Sequence, residues 1–334
     1  MRFDKVIVTV DSHTAGEPTR VVVGGVPYIR GRTMEEKREY VKRNFDYIRS
    51  VLMQEPRGHR DMFGAIITPP IRDDSDFGVV WIDCAEYPDM CGHGSIGVAM
   101  TAVECGLVKK TEPITEVAFD TPAGQIKALA KIVDGSVDSV TIRHVPSFLY
   151  KSTTLKLPSV GDVPVDVSFG GNFFAIVKAK DIGVRVRPEN SRKLTEIGMA
   201  IKNSISAQMD IQHPLKPYIN SLLGTRIIEE SSKPGRSVRN VVIFSEGQVD
   251  RSPCGTGTCA HMAMLYAKKG VELGEEVTHE SIIGTSWKSR VVEETKVHDF
   301  KAVIPEVIGR AYITGFHKFI IDPDDPLREG FLLI

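Results

Sequence analysis

The sequence lacks three features: a surplus of charge of one sign, a long apolar run and a dense set of cysteines. Its 334 residues include 42 basic and 43 acidic side chains, which gives a net charge of −1. Such a balance provides no excess of positive charge that would attract a nucleic acid or an anionic membrane surface. Because no apolar run approaches the ~20 residues that a membrane span needs, we expect neither of these partners.

Cysteine is scarce, and the first residues do not resemble a signal peptide. Five cysteines are an odd number and too few for a disulfide scaffold in a chain of this length. The chain leads directly into the short apolar run Val6–Val10, without an h-region or a small-residue cleavage site. These absences predict a cytoplasmic protein, whose thiols stay reduced and available for chemistry.

Two of the five cysteines stand in a motif that occurs twice. The segments Cys91–Ser95 and Cys254–Thr258 both read Cys-Gly-x-Gly-[Ser/Thr]. Each leads into a helix-like run, Ser95–Cys105 in the first case and Cys259–Lys269 in the second. Two such motifs, each in front of a helix, predict two half-sites that face each other.

A cysteine at the start of a helix has a specific chemistry. The helix dipole and the unpaired backbone N–H groups lower the pKa of its thiol, and the same N–H groups bind anions. Two facing helix starts would hold a carboxylate and place its α-carbon between Cys91 and Cys254. One sulfur, as thiolate, would remove the α-proton, and the other, as thiol, would return a proton on the opposite face. This scheme requires no metal and no cofactor.

The rest of the chain is rich in predicted strands, and its elements recur in the same order. A long amphipathic helix, several strands and a Cys-Gly helix follow one another twice, which indicates a weak internal repeat of about 160 residues. Hairpin signals such as Asp134-Gly135 favour an α+β fold with curled, mainly antiparallel sheets over a parallel doubly wound sheet. We predict long helices at 34–52 and 190–208, and strands that include 4–10, 20–23, 78–82, 241–244 and 311–321.

Both motifs, with their flanking residues, resemble the signature segments of proline racemases. Met90–Gly94 and Asp250–Thr258 are similar to the two family motifs, in the same order along the chain. Four further segments also resemble family segments, so that the likeness covers nearly the whole chain: Asp11–Gly16, Glu55–His59, Phe169–Phe174 and Ala311–Gly315. The resemblance implies a cofactor-independent isomerase that interconverts L- and D-proline.

The resemblance also implies a fold and an assembly. The family fold is similar to that of diaminopimelate epimerase: two similar domains, each a curled, mainly antiparallel sheet around a central helix. The first domain would comprise residues 1–125 and 307–334 with the Cys91 helix, and the second would comprise residues 126–306 with the Cys254 helix. The active site would lie in the cleft between them. Since family members are typically homodimers, the resemblance predicts a homodimer here.

By resemblance, each motif residue receives a role in binding a small amino-acid substrate. Cys91 and Cys254 would be the paired acid and base. Asp250 and the side chain of His93 would meet the ring nitrogen, and Phe63 and Phe244 would form the apolar wall of the pocket. The substrate carboxylate would be held by the backbone N–H groups of Gly92, His93, Gly255 and Thr256.

Two other reactions occur among similar enzymes. Enzymes that dehydrate trans-3-hydroxyproline generally carry threonine at the second cysteine position, so Cys254 argues against dehydration. An apolar wall favours proline over 4-hydroxyproline, because a hydroxyl buried without a partner costs roughly 1–3 kcal/mol. The segment Leu222–Gly224 departs from both branches, which leaves 4-hydroxyproline 2-epimerase as the alternative.

Other classes of protein share part of the pattern. Gly92, Gly94 and Gly97 spell the G-x-G-x-x-G of a dinucleotide-binding oxidoreductase, but hairpin strands follow where a βαβ unit would place an acidic residue. A non-catalytic anion-binding module would leave both cysteines without a role. We expect structural roles for the remaining cysteines and for three histidines that lack metal-ligand spacing, and therefore no metal site: Cys84, Cys105, Cys259, His13, His59 and His261.

Overall fold

The computed structural model describes residues 5–158, 160–231 and 236–333. It contains seventeen strands, five α-helices and two short 3₁₀ helices in the described ranges, so the predicted α+β class is confirmed. The helices are α1 (Met34–Asn44), α2 (Asp46–Met53), α3 (Gly92–Glu104), α4 (Ser191–Gln208) and α5 (Gly255–Ala267). The strands are β1 (Lys5–Thr14), β2 (Glu17–Gly24), β3 (Phe63–Thr68), β4 (Phe77–Asp83), β5 (Ile114–Thr121), β6 (Gly124–Val133), β7 (Ser136–Arg143), β8 (Ser147–Leu157), β9 (Gly161–Phe169), β10 (Phe173–Lys178), β11 (Leu222–Glu230), β12 (Ser237–Phe244), β13 (Gln248–Val249), β14 (Val277–Glu280), β15 (Ser286–Val297), β16 (Phe300–Gly309) and β17 (Ala311–Ile321).

The chain folds into two compact units, of which unit 1 comprises residues up to Thr141 and from Arg310 onward. Its sheet runs in the order β17-β1-β2-β3-β4-β5-β6. The two parallel pairs, β2–β3 and β4–β5, are the ones whose connections contain helices, as parallel strands require. Helix α3 contacts β1, β2, β3, β5, β6 and β17, and its residues from Gly92 to Val103 are all buried, so it forms the core of this unit.

Unit 2 comprises Ile142–Gly309 and is built in the same way. Its strands pair in the order β8-β9-β10-β11-β12-β14-β15-β16, and β16 pairs with β8 to close the ring. Helix α5 contacts β8, β9, β10, β15 and β16 and is buried from Gly255 to Met264. Each Cys-Gly helix is therefore the central, apolar element of its own unit.

The order of pairings repeats between the units. From β1 to β6 the successive pairs are antiparallel, parallel, antiparallel, parallel and antiparallel. The strands β9, β10, β11, β12, β14 and β15 follow the same order. In each unit the second parallel crossover carries the Cys-Gly helix, which agrees with the repeat expected from the sequence.

The predicted helix at 34–52 is wrong in one respect, because it is broken into α1 and α2. At Phe45 the backbone leaves the helix with φ −138° and ψ 25°, while its N–H still bonds the carbonyl of Val41. The apolar side chains of both helices still share one core, since Val41, Ile48 and Leu52 are fully buried and Phe45 packs against the same core cluster. Thr33 caps α1 by accepting from the Glu36 N–H.

The polar segment between the first two strands is also shorter than predicted. The strands predicted at 4–10 and 20–23 leave residues 11–19 outside the sheet, but β1 continues to Thr14 and β2 begins at Glu17, with Ala15 and Gly16 at positive φ between them. The polar residues enter the sheet because they pair across it. Asp11 lies opposite Arg20, and the Arg20 guanidinium donates to the Asp11 carboxylate at 2.8 Å.

Other predicted elements are confirmed. Helix α4 matches the expected 190–208, and its stripe is buried at Leu194, Ile197, Ile201 and Ile205. The strand at 311–321 is β17, which pairs with β1 inside unit 1. None of the helices in the described ranges is both long and apolar enough to cross a bilayer.

Candidate active site

The Cys91 half-site, which consists of Cys91 and the residues that contact it, lies at the start of α3. Cys91 is the N-cap residue, with an extended backbone at φ −140° and ψ 125°. Its sulfur accepts from the Gly94 N–H at 3.2 Å and lies 3.3 Å from Nδ1 of His93. Only 5% of the residue is exposed. The sulfur is thus fixed at the positive end of the helix by the first turn of that helix.

Glycines in this motif make room for the neighbours of the turn. A Cβ on Gly94 would lie 2.7 Å from the Trp81 ring and 3.0 Å from the Cys91 sulfur. A Cβ on Gly97 would lie 3.0 Å from Oγ of Ser12 on β1. These contacts show that the small residues allow the sulfur and the sheet to approach the helix closely.

Aromatic rings surround the first half-site. The Phe63 ring meets the His93 ring edge to face, with 4.8 Å between the centroids. It also contacts Trp81 at 6.2 Å, and all three residues are buried. Thr14 of β1 donates to the His93 carbonyl at 3.0 Å and ties the turn to the sheet. The predicted residues Gly92, His93 and Phe63 therefore lie together beside Cys91.

The Cys254 half-site lies at the start of α5 and has a different backbone. Cys254 has φ 63° and ψ 106°, a conformation that costs a non-glycine residue about 1–3 kcal/mol. Hydrogen bonds hold it in place: its N–H donates to Oγ of Ser252 at 3.0 Å, and the Ser252 N–H and hydroxyl both donate to the Asp250 carboxylate. Nη1 of Arg226 donates to the Pro253 carbonyl at 2.9 Å. The surroundings thus hold Cys254 in a strained geometry.

Protonation of Cys254 differs from the sequence-based expectation. Burial raises the pKa of the Cys254 thiol well above its usual value, and Asp250 raises it further. The Arg226 charge and the Gly257 N–H act in the opposite direction but do not outweigh burial. A helix start alone therefore does not lower the pKa of this thiol, because the residue is only 6% exposed.

The other predicted residues of unit 2 lie near the same turn. Gly255 and Thr256 form the first positions of α5, and Asp250 is 3% exposed in the segment that leads to it. Phe244 is buried at the end of β12. After β12 the chain turns back, and the Asp250 N–H donates to the Val242 carbonyl at 3.0 Å.

Sequence reasoning missed the buried polar group behind Cys254. Arg226 lies in β11 with no exposed surface, and its Nη2 lies 3.1 Å from Nδ1 of His279. The signal was present in the sequence as a lone charge inside the apolar run Leu222–Ile228. A charge in such a run indicates a buried, partnered group, because an unpartnered charge is too costly to bury.

The remaining cysteines occupy inert surroundings. The Cys84 thiol donates to the carbonyls of Met53 and His59, and burial raises its pKa to about 12. Cys259 is fully buried within α5, and Cys105 lies at the C-terminal end of α3. Within the described ranges, no group of three or more His, Cys, Asp and Glu side chains has the arrangement of a metal site.

Comparison with known proteins identifies the family of the chain. The family model described as proline racemase matches residues 9–332. A proline racemase of Clostridioides difficile is 49% identical over 334 residues, which is 100% of both chains. A proline racemase of Acetoanaerobium sticklandii is 50% identical over 333 residues, which is 99% of both chains.

A solved structure shares the whole fold. The hydroxyproline epimerase from Agrobacterium vitis with bound trans-4-OH-L-proline superposes with a TM-score of 0.95 at 33% identity. The match covers 100% of this chain and 96% of the epimerase chain. Because the family model and both racemases match along nearly its full length, the chain belongs to the proline racemase family.

Proposed function

We propose that the protein interconverts L- and D-proline without a cofactor, by transfer of the α-proton between Cys91 and Cys254. The observation that carries this proposal is the duplicated helix start. Each cysteine precedes the buried central helix of its own unit, and each helix begins with a glycine. The substrate would lie between the two half-sites, in a cleft between the two domains predicted from the sequence, residues 1–125 with 307–334 and residues 126–306.

The helix starts supply the binding site for the substrate carboxylate. In each first turn, backbone N–H groups have no carbonyl of the same helix to bond. The N–H groups of Gly92, His93, Gly255 and Thr256 would hold the carboxylate and stabilise the charge that builds on it as the α-proton leaves. Asp250 and the His93 side chain would meet the ring nitrogen, where a buried carboxylate pairs well with an ammonium group.

The reaction requires one thiol and one thiolate. Since burial raises the pKa of Cys254, the resting enzyme would hold the proton on Cys254 and present Cys91 as the base. The positive charge of the substrate ammonium favours the thiolate form of a nearby sulfur, which makes the opposite distribution accessible after binding. The two sulfurs would titrate as a coupled pair that shares one proton.

The preferred substrate is proposed from the apolar side chains. Phe63 and Phe244 are buried and offer no hydrogen-bond partner to a ring hydroxyl, which favours proline. One observation favours the alternative, a 4-hydroxyproline 2-epimerase: the Agrobacterium vitis epimerase, whose fold matches with a TM-score of 0.95, holds trans-4-OH-L-proline. Both substrates fit the same two-thiol chemistry.

We also propose that the protein acts as a homodimer in the cytoplasm. Two large apolar side chains, Phe316 and Ile320, are exposed on one face of β17. Large apolar side chains exposed together are typical of an interface. The mass in solution, measured by light scattering, tests the dimer directly.

A side-by-side assay of three substrates tests the function. L-proline, trans-4-hydroxy-L-proline and trans-3-hydroxy-L-proline are incubated with the enzyme, and products are separated by chiral chromatography. We expect racemisation of proline with the highest kcat/KM. Preferential epimerisation of the 4-hydroxy compound would establish the alternative, and loss of water from the 3-hydroxy compound would indicate a dehydratase. No turnover of any of the three, or turnover only with added NAD, would contradict the proposal.

A further inference from the structure

Arg226 is a fully buried guanidinium with few partners. It is 0% exposed, and its Nη1 donates to the Pro253 carbonyl at 2.9 Å. Its Nη2 donates to Nδ1 of His279 at 3.1 Å, while its Nε has no hydrogen-bond partner among the described residues. None of the described carboxylates forms an ion pair with it. A buried cation without an ion pair is costly, so nearby groups that carry or can take a negative charge stabilise it, and the Cys254 sulfur and the Asp250 carboxylate both raise the pKa of its guanidinium.

The sulfur of Cys254 is such a group. A Cβ placed on Gly257 would lie 2.9 Å from this sulfur and 3.1 Å from Nη1 of Arg226. Since both atoms lie within about 3 Å of one point, they are at most about 6 Å apart, a range in which opposite charges shift a pKa strongly. Any side chain at Gly257 would enter the space beside both groups, which explains the glycine at this position of the motif.

The other ionisable groups around this pair do not replace Arg226. Burial lowers the pKa values of His279 and His261 well below the usual value, so both imidazoles are neutral near neutral pH. Burial keeps Cys259 a thiol by raising its pKa. Asp250 is negative and opposes a charge on Cys254. Arg226 is thus the cation that faces the Cys254 sulfur within the described part of unit 2.

A hydrogen-bonded chain fixes the guanidinium from behind. Because Arg226 can only donate, Nδ1 of His279 must be the acceptor, and the imidazole proton therefore lies on Nε2. Nε2 is 2.8 Å from Oγ of Ser289, to which it donates. His279 lies on β14 and Ser289 on the neighbouring β15, so the sheet itself sets the position of Arg226.

We propose that Arg226 is a positioning residue for Cys254: a buried counter-ion that stabilises its thiolate and that His279 and Ser289 hold in place. This inference rests on the proposed function, in which Cys254 must become a thiolate in one half of the reaction. Arg226 acts through the sulfur and the Pro253 carbonyl and has no contact with the substrate in this role. It offsets part of the effect of burial on the Cys254 thiol.

The test measures the titration of each cysteine without substrate. Iodoacetamide alkylation rates of Cys254 and Cys91 are followed by fragment-ion mass spectrometry at fixed pH values from about 7 to about 9, since the thiolate is the reacting form. In Arg226→Met the rate at Cys254 should fall about 10-fold to 10³-fold, which corresponds to a pKa raised by about 1–3 units, while the rate at Cys91 stays unchanged. Arg226→Lys keeps the charge and should lower the rate less. An unchanged Cys254 rate, or equal changes at both cysteines, would overturn the inference.

A second variant keeps the test decisive if Arg226→Met fails to fold. Ser289→Ala keeps the guanidinium in the protein but removes the hydrogen bond that fixes His279 behind it, and should lower the Cys254 alkylation rate by a fraction of the same effect. An unchanged rate in Ser289→Ala would then count against Arg226. Alkylation requires no substrate. If the Arg226 variants changed the alkylation of Cys254 but the wild-type enzyme did not racemise proline, the proposed function alone would be contradicted. If the wild-type enzyme racemised proline and the variants left Cys254 alkylation unchanged, only the role of Arg226 would be contradicted.

Discussion

Cys91 and Cys254 begin corresponding helices in the two units, yet their thiols are held in different ways. Cys91 has an ordinary extended backbone and caps its own helix through the sulfur, whereas Cys254 has a positive φ. Cys91 contacts an imidazole, and Cys254 lies beside a buried guanidinium and a carboxylate. A repeated motif therefore does not produce two equal environments, because the surrounding unit determines the charge near each sulfur.

This asymmetry need not make the reaction faster in one direction. The two enantiomers of proline have equal free energies, so the ratio of kcat/KM in the two directions must equal one. Unequal thiols can change kcat and KM separately, since these depend on the bound states. The difference between Cys91 and Cys254 should therefore appear in individual rate constants and in the titration of each sulfur.

The largest expected effect is the loss of either sulfur. Cys91→Ser and Cys254→Ser should each lower kcat/KM for proline by about 10³-fold or more, because a hydroxyl is a far weaker acid and base than a thiol near neutral pH. Cys105→Ser, at the other end of α3, is the matched control and should keep wild-type activity. Racemisation is followed by polarimetry. Full activity in either of the first two variants would remove that sulfur from the mechanism.

Close packing also distinguishes the two helices. In unit 1 the helix supplies the small residue, Gly97, where a Cβ would meet Ser12 and Thr19 side chains at 3.0–3.2 Å. In unit 2 the turn between β9 and β10 supplies it, because a Cβ on Gly170 would lie 2.3 Å from the backbone of Thr256 and Ala260. Side chains can move aside more easily than helix backbone.

Gly170→Ala should therefore be more destabilising than Gly97→Ala. We expect losses of about 3 kcal/mol and about 1 kcal/mol in the free energy of unfolding, measured by urea titration. Gly24→Ala is the control, since its Cβ would meet nothing closer than 3.7 Å. Equal losses at Gly170 and Gly97 would show that the α5 backbone yields as readily as the side chains around α3.

Two buried groups, one in each unit, should make stability depend on pH in opposite directions. Burial raises the pKa of Asp83 in unit 1 to about 7 and lowers that of His144 in unit 2 to about 3. Asp83 therefore makes unfolding easier as pH rises from about 4 to about 7, because its folded state prefers the neutral acid. His144 makes unfolding easier as pH falls from about 6.5 towards 3, because its folded state prefers the neutral imidazole.

Two substitutions separate these contributions. Asp83→Asn should abolish the loss of stability that Asp83 causes as pH rises, which is about 4 kcal/mol for a pKa raised from 3.8 to about 7. His144→Leu should abolish the loss that His144 causes as pH falls, which is about 5 kcal/mol for a pKa lowered from 6.5 to about 3. Urea unfolding across this pH range measures both. If both variants changed the slope with the same sign, the assignment of the two groups would be wrong.

The smallest expected effect concerns the backbone at the two cysteines. At position 91 serine should be more stable than glycine by a few tenths of a kcal/mol, because serine is the better N-cap. At position 254 the glycine variant should be more stable than the serine variant by about 1 kcal/mol, since glycine adopts φ 63° without strain. The free energies of unfolding of the four variants decide this. The same order at both positions would argue against strain at Cys254.

Local patterns allowed much of this fold to be predicted. The Cys-Gly motifs located the starts of α3 and α5, and the aliphatic stripe located α4. The break at Phe45 and the two-residue turn at Ala15 and Gly16 were missed because tertiary contacts decide them. Arg226 was missed for the same reason: its importance depends on its distance from Cys254, which no sequence spacing encodes.

The most direct test of the central claim is racemisation of L-proline in deuterated water, stopped at low conversion. With two sulfurs, one removing and the other delivering the proton, the D-proline formed should carry deuterium at the α-carbon while the remaining L-proline stays unlabelled. Mass spectrometry of the separated enantiomers reads both. D-proline that retains its original α-hydrogen, or deuterium in the recovered L-proline at the same level, would contradict a two-thiol mechanism.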